Sequence, residues 1–243
     1  MLALVDGDIV CYRCACSCED IPTLAELAAM DKNIDDRESL IVYEPVESAY
    51  MRIDVLMKDI LEITKSDKYR VFLSGDHDFR VKVNPEYKAN RKDARKPRYL
   101  EQCKEYLIVK WGAEVTDEYE ADDALGINQT DDTIICTIDK DLLQIPGLHY
   151  NFVTQEIKNI STLEGKKHLW KQMLIGDTVD NIIGVYGIGK VKASAIIDPL
   201  EDEYSMYEVV YDLYKDHDRF NMNLKCLTIL TEELNAETGM DGG

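Results

Sequence analysis

Three stretches of this chain share one pattern, a short apolar run that ends in an acid. "LALVDGD" reaches Asp6, "KYRVFLSGD" runs through Gly75 to Asp76, and "DTIICTIDKD" leads to Asp139. Short apolar runs bounded by glycine or polar residues predict buried strands. Between them the apolar positions fall at helical spacing: residues 9–18, "TLAELAAM", "SAYMRIDVLMKDILEIT", "PRYLEQCKEYLIVKWG" closed by Gly112, and the stretch that starts at "EADDALGINQ". "GLHYNFVTQEIKNIS" reads as an extended pair with a turn, "DRESLIVYEP" as extended, and the chain after about residue 160 as helical.

Strands alternating with helices predict an α/β fold, a mainly parallel sheet flanked by helices on both faces. Ligands of such sheets bind beyond the carboxyl ends of the strands. That topology brings Asp6, Asp76 and Asp139 to one edge. More acids stand nearby in the pattern: Glu120, Asp122 and Asp123 at a helix start, Asp141 after the third strand, and Asp177 and Asp180 in "GDTVDN". Taken singly, each reads as a helix cap or a solvated surface charge. Gathered at one edge they repel one another, and a divalent cation removes that cost. Oxygen-only ligation suits Mg2+ or Mn2+. Two such ions about 4 Å apart activate a water and stabilise a leaving oxygen in phosphoryl hydrolysis. His77, His149, His168 and His217 are scattered and lack zinc-hydrolase spacing.

Composition changes the picture in three ways. With 243 residues, 45% of them hydrophobic, the chain is long enough for one sizeable core and a smaller lobe. No apolar stretch approaches the roughly 18 residues of a membrane span, and Asp6 and Asp8 interrupt the N-terminal apolar run, so a cytoplasmic location is expected. The net charge of −19 opposes phosphate binding by the surface at large, yet residues 80–104 carry nine Lys/Arg against three acids, leaving −25 on the remainder. Such a segment is a local phosphate-tracking patch or a solvated basic helix. Cys11, Cys14, Cys16 and Cys18 lack the paired spacing of a zinc framework and read as reduced, small apolar residues.

These strings, in this order, resemble the 5′ nucleases of bacteriophages and of bacterial polymerase I, relatives of the flap endonucleases. "VDGDIVCYR" is similar to the first motif, with Asp6 as metal ligand and Arg13 as a phosphate contact. "LSGD" supplies Asp76, "EADD" supplies Glu120, Asp122 and Asp123, and "TIDKDLLQ" supplies Asp139 and Asp141. "PEYKANRK" resembles the start of the family's helical arch, with Lys88 and Arg91 in the catalytic positions, Tyr87 as a base-stacking residue and Lys92 beside them. "IGDTVDNIIGVYGIGKVKA" resembles the last metal aspartates, Asp177 and Asp180, followed by a helix–three-turn–helix in which Gly184, Gly187, Gly189, Lys190 and Lys192 grip duplex DNA, with K+ on backbone carbonyls.

The resemblance implies a PIN-like catalytic domain over 1–160 with an arch at about 77–104, a helical DNA-binding region over 161–235, and a tail at 236–243. It implies a 5′-3′ exonuclease or flap endonuclease that uses two Mg2+ ions, with Mn2+ as substitute, and leaves 5′-phosphate products. DNA with 5′ ends or flaps is the expected substrate, alongside RNA–DNA hybrids. A replication protein is an expected partner and a bacterial host cytoplasm the location of a phage-encoded version. The arch is expected to be mobile without DNA. Asp8 and Glu118 stand outside the motif register, and residues 31–47 receive no role.

Rival readings remain at this point. "DGDIV" fits the opening of haloacid-dehalogenase-type phosphatases, with Asp6 as nucleophile and Asp8 as general acid. A non-catalytic DNA-binding module and a toxin-like ribonuclease are the others. All three leave part of the acid set or the basic segment unexplained.

Overall fold

The structure, a computed structural model, describes residues 1–92, 94–232 and 234. The tail expected at 236–243 lies outside the described residues. A six-stranded sheet forms the centre: β1 (Leu2–Asp6), β2 (Lys68–Ser74), β3 (Glu114–Thr116), β4 (Thr133–Cys136), β5 (Gly147–Asn151) and β6 (Glu156–Ile160), in spatial order β3-β2-β1-β4-β5-β6. All neighbours are parallel except β5 and β6. The three runs that end in acids are the adjacent central strands β2, β1 and β4. Val5 lies opposite both Val71 and Cys136, so the strand ends are level. The edge strand β3 has no counterpart in the apolar pattern, because only its last residue, Thr116, is buried.

Side-chain alternation along β1 sorts the core. Ala3 and Val5 face α1 (Gly7–Cys16), α3 (Val46–Thr64) and α5 (Leu100–Trp111), while Leu4 faces α6 (Ala121–Asn128). α2 (Leu24–Ala29), which comes between α1 and α3 in the chain, opens with a Thr23–Glu26 capping box. The stretch 36–45 is less extended than expected, with only Val42–Tyr43 in a strand. Cys11, Cys14 and Cys18 are buried in the first core, where Cys103 of α5 joins them. Burial pushes the Cys14 thiol up to about 11 and Cys103 up to about 12, so both stay neutral.

Beyond β6 the chain is helical: α7 (Thr162–Ile175), α8 (Lys190–Ile197), α9 (Glu203–Tyr214) and α10 (His217–Leu227), packed around Trp170, Met173, Val210 and Phe220. Ser161 and Glu164 form a capping box at the start of α7. After α10 the chain returns to the sheet, and Ile229 joins the core beside Leu4 and Leu125. No helix among the described residues is long and apolar enough to cross a membrane.

The basic segment departs from expectation. In place of an arch of helices over 77–104, the described residues hold the five-residue α4 (Phe79–Val83), a single turn at Ala89–Arg91, and then the start of α5 at Leu100. The stretch before α5 is pinned to the body: Arg95 pairs with Glu19 at 2.6 Å, the Arg98 amide donates to Glu19 at 2.6 Å, and the Tyr99 hydroxyl donates to the Glu44 carbonyl at 3.0 Å.

Candidate active site

Asp6 ends β1 and caps α1. Its carboxylate accepts from the Ile9 amide at 3.0 Å and the Thr137 hydroxyl at 2.7 Å, and only 2% of the residue is exposed. Burial, reinforced by repulsion from Asp8 and Asp139, pushes the group up to about 7. Asp139 and Asp141 lie where β4 gives way to a turn, and the Asp141 amide donates to Asp139 at 2.9 Å. Burial and the charges of Asp139, Asp177 and Asp180 push Asp141 up to about 7. Asp122, in the first turn of α6, is raised well above the carboxylate range by burial and by the charges of Asp6, Asp139 and Glu120. Acids from β1, α6, the β4 turn and the loop after α7 therefore oppose one another's ionisation.

The Lys88 region supplies the opposing charge. Lys88 contacts Glu120 and reaches Asp180 at 3.9 Å, while Arg91 pairs with Asp180 at 2.5 Å. The two cations share a side as expected, but by a different geometry: Lys88 sits in the left-handed region at φ 54°, ahead of the turn, and not on a helix. Burial raises the Glu120 carboxyl, but Lys88 and Arg80 outweigh it and hold the group below the usual range. Burial likewise opposes the Lys88 charge, yet Glu120 and Asp180 keep its pKa above the ordinary lysine value. Asp180 remains raised because burial outweighs Lys88 and Arg91.

Several sequence-predicted roles need correction. Asp122 and Asp123, expected to act together, divide. Asp123 is fully buried and both of its oxygens are taken by Arg80, at 2.6 and 2.8 Å, so it is an internal anchor. Tyr87 does not present its ring for stacking on a base. It is 5% exposed, and its hydroxyl lies 2.9 Å from Glu120 and 3.0 Å from Asp180. Gly184 is buried too: a Cβ there would meet the Leu174 carbonyl at 2.5 Å, so this glycine lets the loop close on the end of α7 and does not face a phosphate. Asp76 follows β2 at the expected edge but is exposed.

The remaining candidates lie where a polymer can reach them. Gly187, at φ +77°, and Gly189, the cap of α8, have open space beside them, and the Lys192 ammonium donates to the Gly187 carbonyl at 2.9 Å. Lys92, Lys190 and Arg13 are exposed. Arg13 lines a groove of about 790 Å³ with Tyr12, Met51, Val55 and Ile138, next to Asp139. Asp8 is occupied by the Ser74 amide at 2.9 Å and Lys104 at 3.3 Å, so it is not free to serve as the general acid of the phosphatase reading. His77 pairs with Asp117 and Glu118 with Lys82.

Sequence reasoning missed Arg80 and Thr137. Arg80 was one of nine bases in a basic segment, with no local sign that it is buried. Thr137 stands in "TIDKD", where a hydroxyl carries no signal until β1 is placed beside it.

Among the described residues no three Asp, Glu, His or Cys side chains are already drawn around one point. The donor set nevertheless fits a hard cation. Asp6, Asp122, Asp139, Asp141, Asp177 and Asp180 offer oxygen alone; burial and mutual repulsion raise Asp6, Asp122, Asp141 and Asp180, and a divalent ion relieves that repulsion.

No family model matches the chain. It is 27% identical to the DNA polymerase I of Caldicellulosiruptor bescii over 237 residues, covering 86% of this chain and 25% of that protein. It is also 27% identical to the DNA polymerase I of Chloroflexus aurantiacus over 222 residues, covering 81% of this chain and 22% of that protein. The chain thus spans about a quarter of the length of the curated relatives it matches. Among solved structures, the flap endonuclease of bacteriophage T5 in a complex with DNA and metal ions aligns with TM-score 0.69 and 16% identity, over 99% of this chain and 94% of that one. The T5 5′-exonuclease with bound zinc aligns with TM-score 0.67 and 18% identity, over 97% and 90%. The chain has the fold of these proteins.

Proposed function

We propose that this chain is a metal-dependent 5′ nuclease, a 5′-3′ exonuclease or structure-specific flap endonuclease that hydrolyses DNA phosphodiester bonds to 5′-phosphate products. The observation that carries the reading is the set of mutually repelling carboxylates at the carboxyl edge of the sheet, Asp6 buried and the others half-buried, with Lys88 and Arg91 laid against it. The shared fold with the T5 enzymes supports it.

Asp6, Glu120, Asp122, Asp139, Asp141, Asp177 and Asp180 would hold two divalent ions, with Asp76 at the open side. Mg2+ is the proposed resident, and Mn2+ its substitute. When bound, such ions supply Lewis-acid charge stabilisation and make water a better nucleophile. The protein's own part is electrostatic. Lys88 and Arg91 exchange their carboxylate partners for the phosphate and stabilise its charge as the bond breaks. Tyr87 keeps Glu120 and Asp180 at a fixed separation.

The helical lobe would grip the duplex. The open backbone at Gly187 and Gly189, the start of α8, and Lys190 and Lys192 together suit a phosphate. K+ on the backbone carbonyls of this loop would have to displace the Lys192 ammonium from the Gly187 carbonyl, leaving Lys192 to the phosphate. Arg13 and Lys92 would contact the strand on the sheet side. We also propose RNA–DNA hybrids as a second substrate, a replication protein as partner, and the cytoplasm of a bacterial host as the place of action.

The test is product mapping on 5′-labelled flap, nicked and blunt DNA with Mg2+, Mn2+ or EDTA. Cleavage near the 5′ end that EDTA stops and Mg2+ restores is expected. Intact DNA across a broad range of metal and protein concentrations would sink the reading.

A further inference from the structure

Arg80 is a charged residue only 2% exposed, and its guanidinium is fully employed. Nη1 and Nη2 donate to the two Asp123 oxygens at 2.6 and 2.8 Å, Nε donates to the Cys226 carbonyl at 2.9 Å, and Nη2 also donates to the Thr228 carbonyl at 2.9 Å. Asp78 stands 3.5 Å from Nη1. Asp123 in turn accepts from the Glu120 amide at 3.1 Å and the Leu230 amide at 2.9 Å. One buried ion pair therefore joins α4, the first turn of α6, the end of α10 and the segment that follows it. From that first turn come the Glu120 and Asp122 carboxylates. A second contact holds the same segment: Gln144, in the turn that follows Asp141, donates to the Leu227 carbonyl at 2.8 Å and accepts from the Ile229 amide at 3.3 Å.

We infer that Arg80 is a positioning residue for the proposed phosphodiester hydrolysis: through Asp123 it fixes the start of α6, and so the Glu120 and Asp122 carboxylates, in register with the segment after α10 that returns to the sheet. The inference rests on the nuclease reading for its reaction, though not for its geometry. A planar guanidinium forms the two-pronged contact with Asp123 and still reaches two carbonyls. A lysine ammonium at the same place keeps the charge but cannot make both.

The test compares the wild-type chain with Arg80→Lys. Partners that orient ligand groups typically change activity or metal affinity by about 10- to 100-fold when altered. The lysine variant is expected to keep native helicity, to lose kcat on flap DNA by about that factor with KM within about threefold, and to bind Mn2+ about tenfold more weakly by calorimetry without DNA. A kcat within about threefold of wild type, or a loss confined to KM, overturns the inference. So does tighter Mn2+ binding, since Arg80 would then have been withholding Asp123 from the metal. Should the lysine variant lose its fold, the paired replacement Arg80→Met with Asp123→Leu removes both charges together. It is expected to restore the melting temperature while kcat stays low, and recovery of kcat along with stability overturns the proposal. A wild-type chain that cuts no substrate sinks the nuclease reading by itself, and the Mn2+ isotherms still decide whether Arg80 sets the carboxylates.

Discussion

A carboxyl lifted to about 7 is half-protonated at neutral pH, and burial and like charge put both Asp6 and Asp141 there. Their ordinary value is 3.8, so between about pH 4 and 7 the folded chain holds protons that the unfolded chain has released. Stability supplied by these two groups is therefore present at low pH and lost as pH rises through that window. The metal-free melting temperature is expected to fall across it, Mg2+ is expected to raise it more at pH 8 than at pH 5, and Asp6→Asn is expected to flatten the slope. A metal-free melting temperature that climbs with pH in this window would contradict the assignment. Asp122 and Asp123 separate at the same scale. Asp123→Asn breaks a buried ion pair and is expected to cost about 3–5 kcal/mol in urea unfolding. Asp122→Asn removes a repelled charge, so stability is expected to hold or rise while cleavage is lost. Lys88→Ala is expected to lower kcat by about 10²- to 10³-fold with DNA binding nearly unchanged, as measured by single-turnover kinetics and by binding in Ca2+.

At the scale of elements, the position of α6 decides the site. Its Gly126 packs so closely under the C-terminal segment that a Cβ would meet the Leu230 carbonyl at 2.3 Å. Gly126→Ala is expected to destabilise by roughly 1–3 kcal/mol in urea unfolding and to lower cleavage with it, because the backbone beyond α10 must shift. An unchanged unfolding midpoint would show that the segment yields freely. Helix ends were readable beforehand wherever local chemistry makes them. Gly112 closes α5 at φ 63°, as its place after the apolar run predicts. The basic segment was not readable in this way. Its charge spacing is the same whether it stands out as an arch or lies against the body, and only the Glu19 carboxylate and the Glu44 backbone carbonyl, both distant in sequence, select the second.

Over the whole molecule, a net charge of −19 confines any grip on DNA to local patches. Binding is then expected to weaken steeply with salt, and replacing Lys190 and Lys192 together with alanine is expected to reduce the slope of log K against log salt by about 2. A salt slope unaltered by that pair would place the DNA elsewhere. The sequence alone determined the three central strands and most of the helices between them, the acid that follows each of those strands, and through them the carboxyl edge of the sheet. Those features depend on apolar periodicity and on residues adjacent in the chain. Tertiary structure alone decided which acids remain free for a cation. Asp122 and Asp123 are neighbours of identical chemistry, and they part because Arg80, from another element, satisfies one and leaves the other to the repulsion of Asp6 and Asp139. Burial and pairing are properties of the packed whole, and no local pattern encodes them.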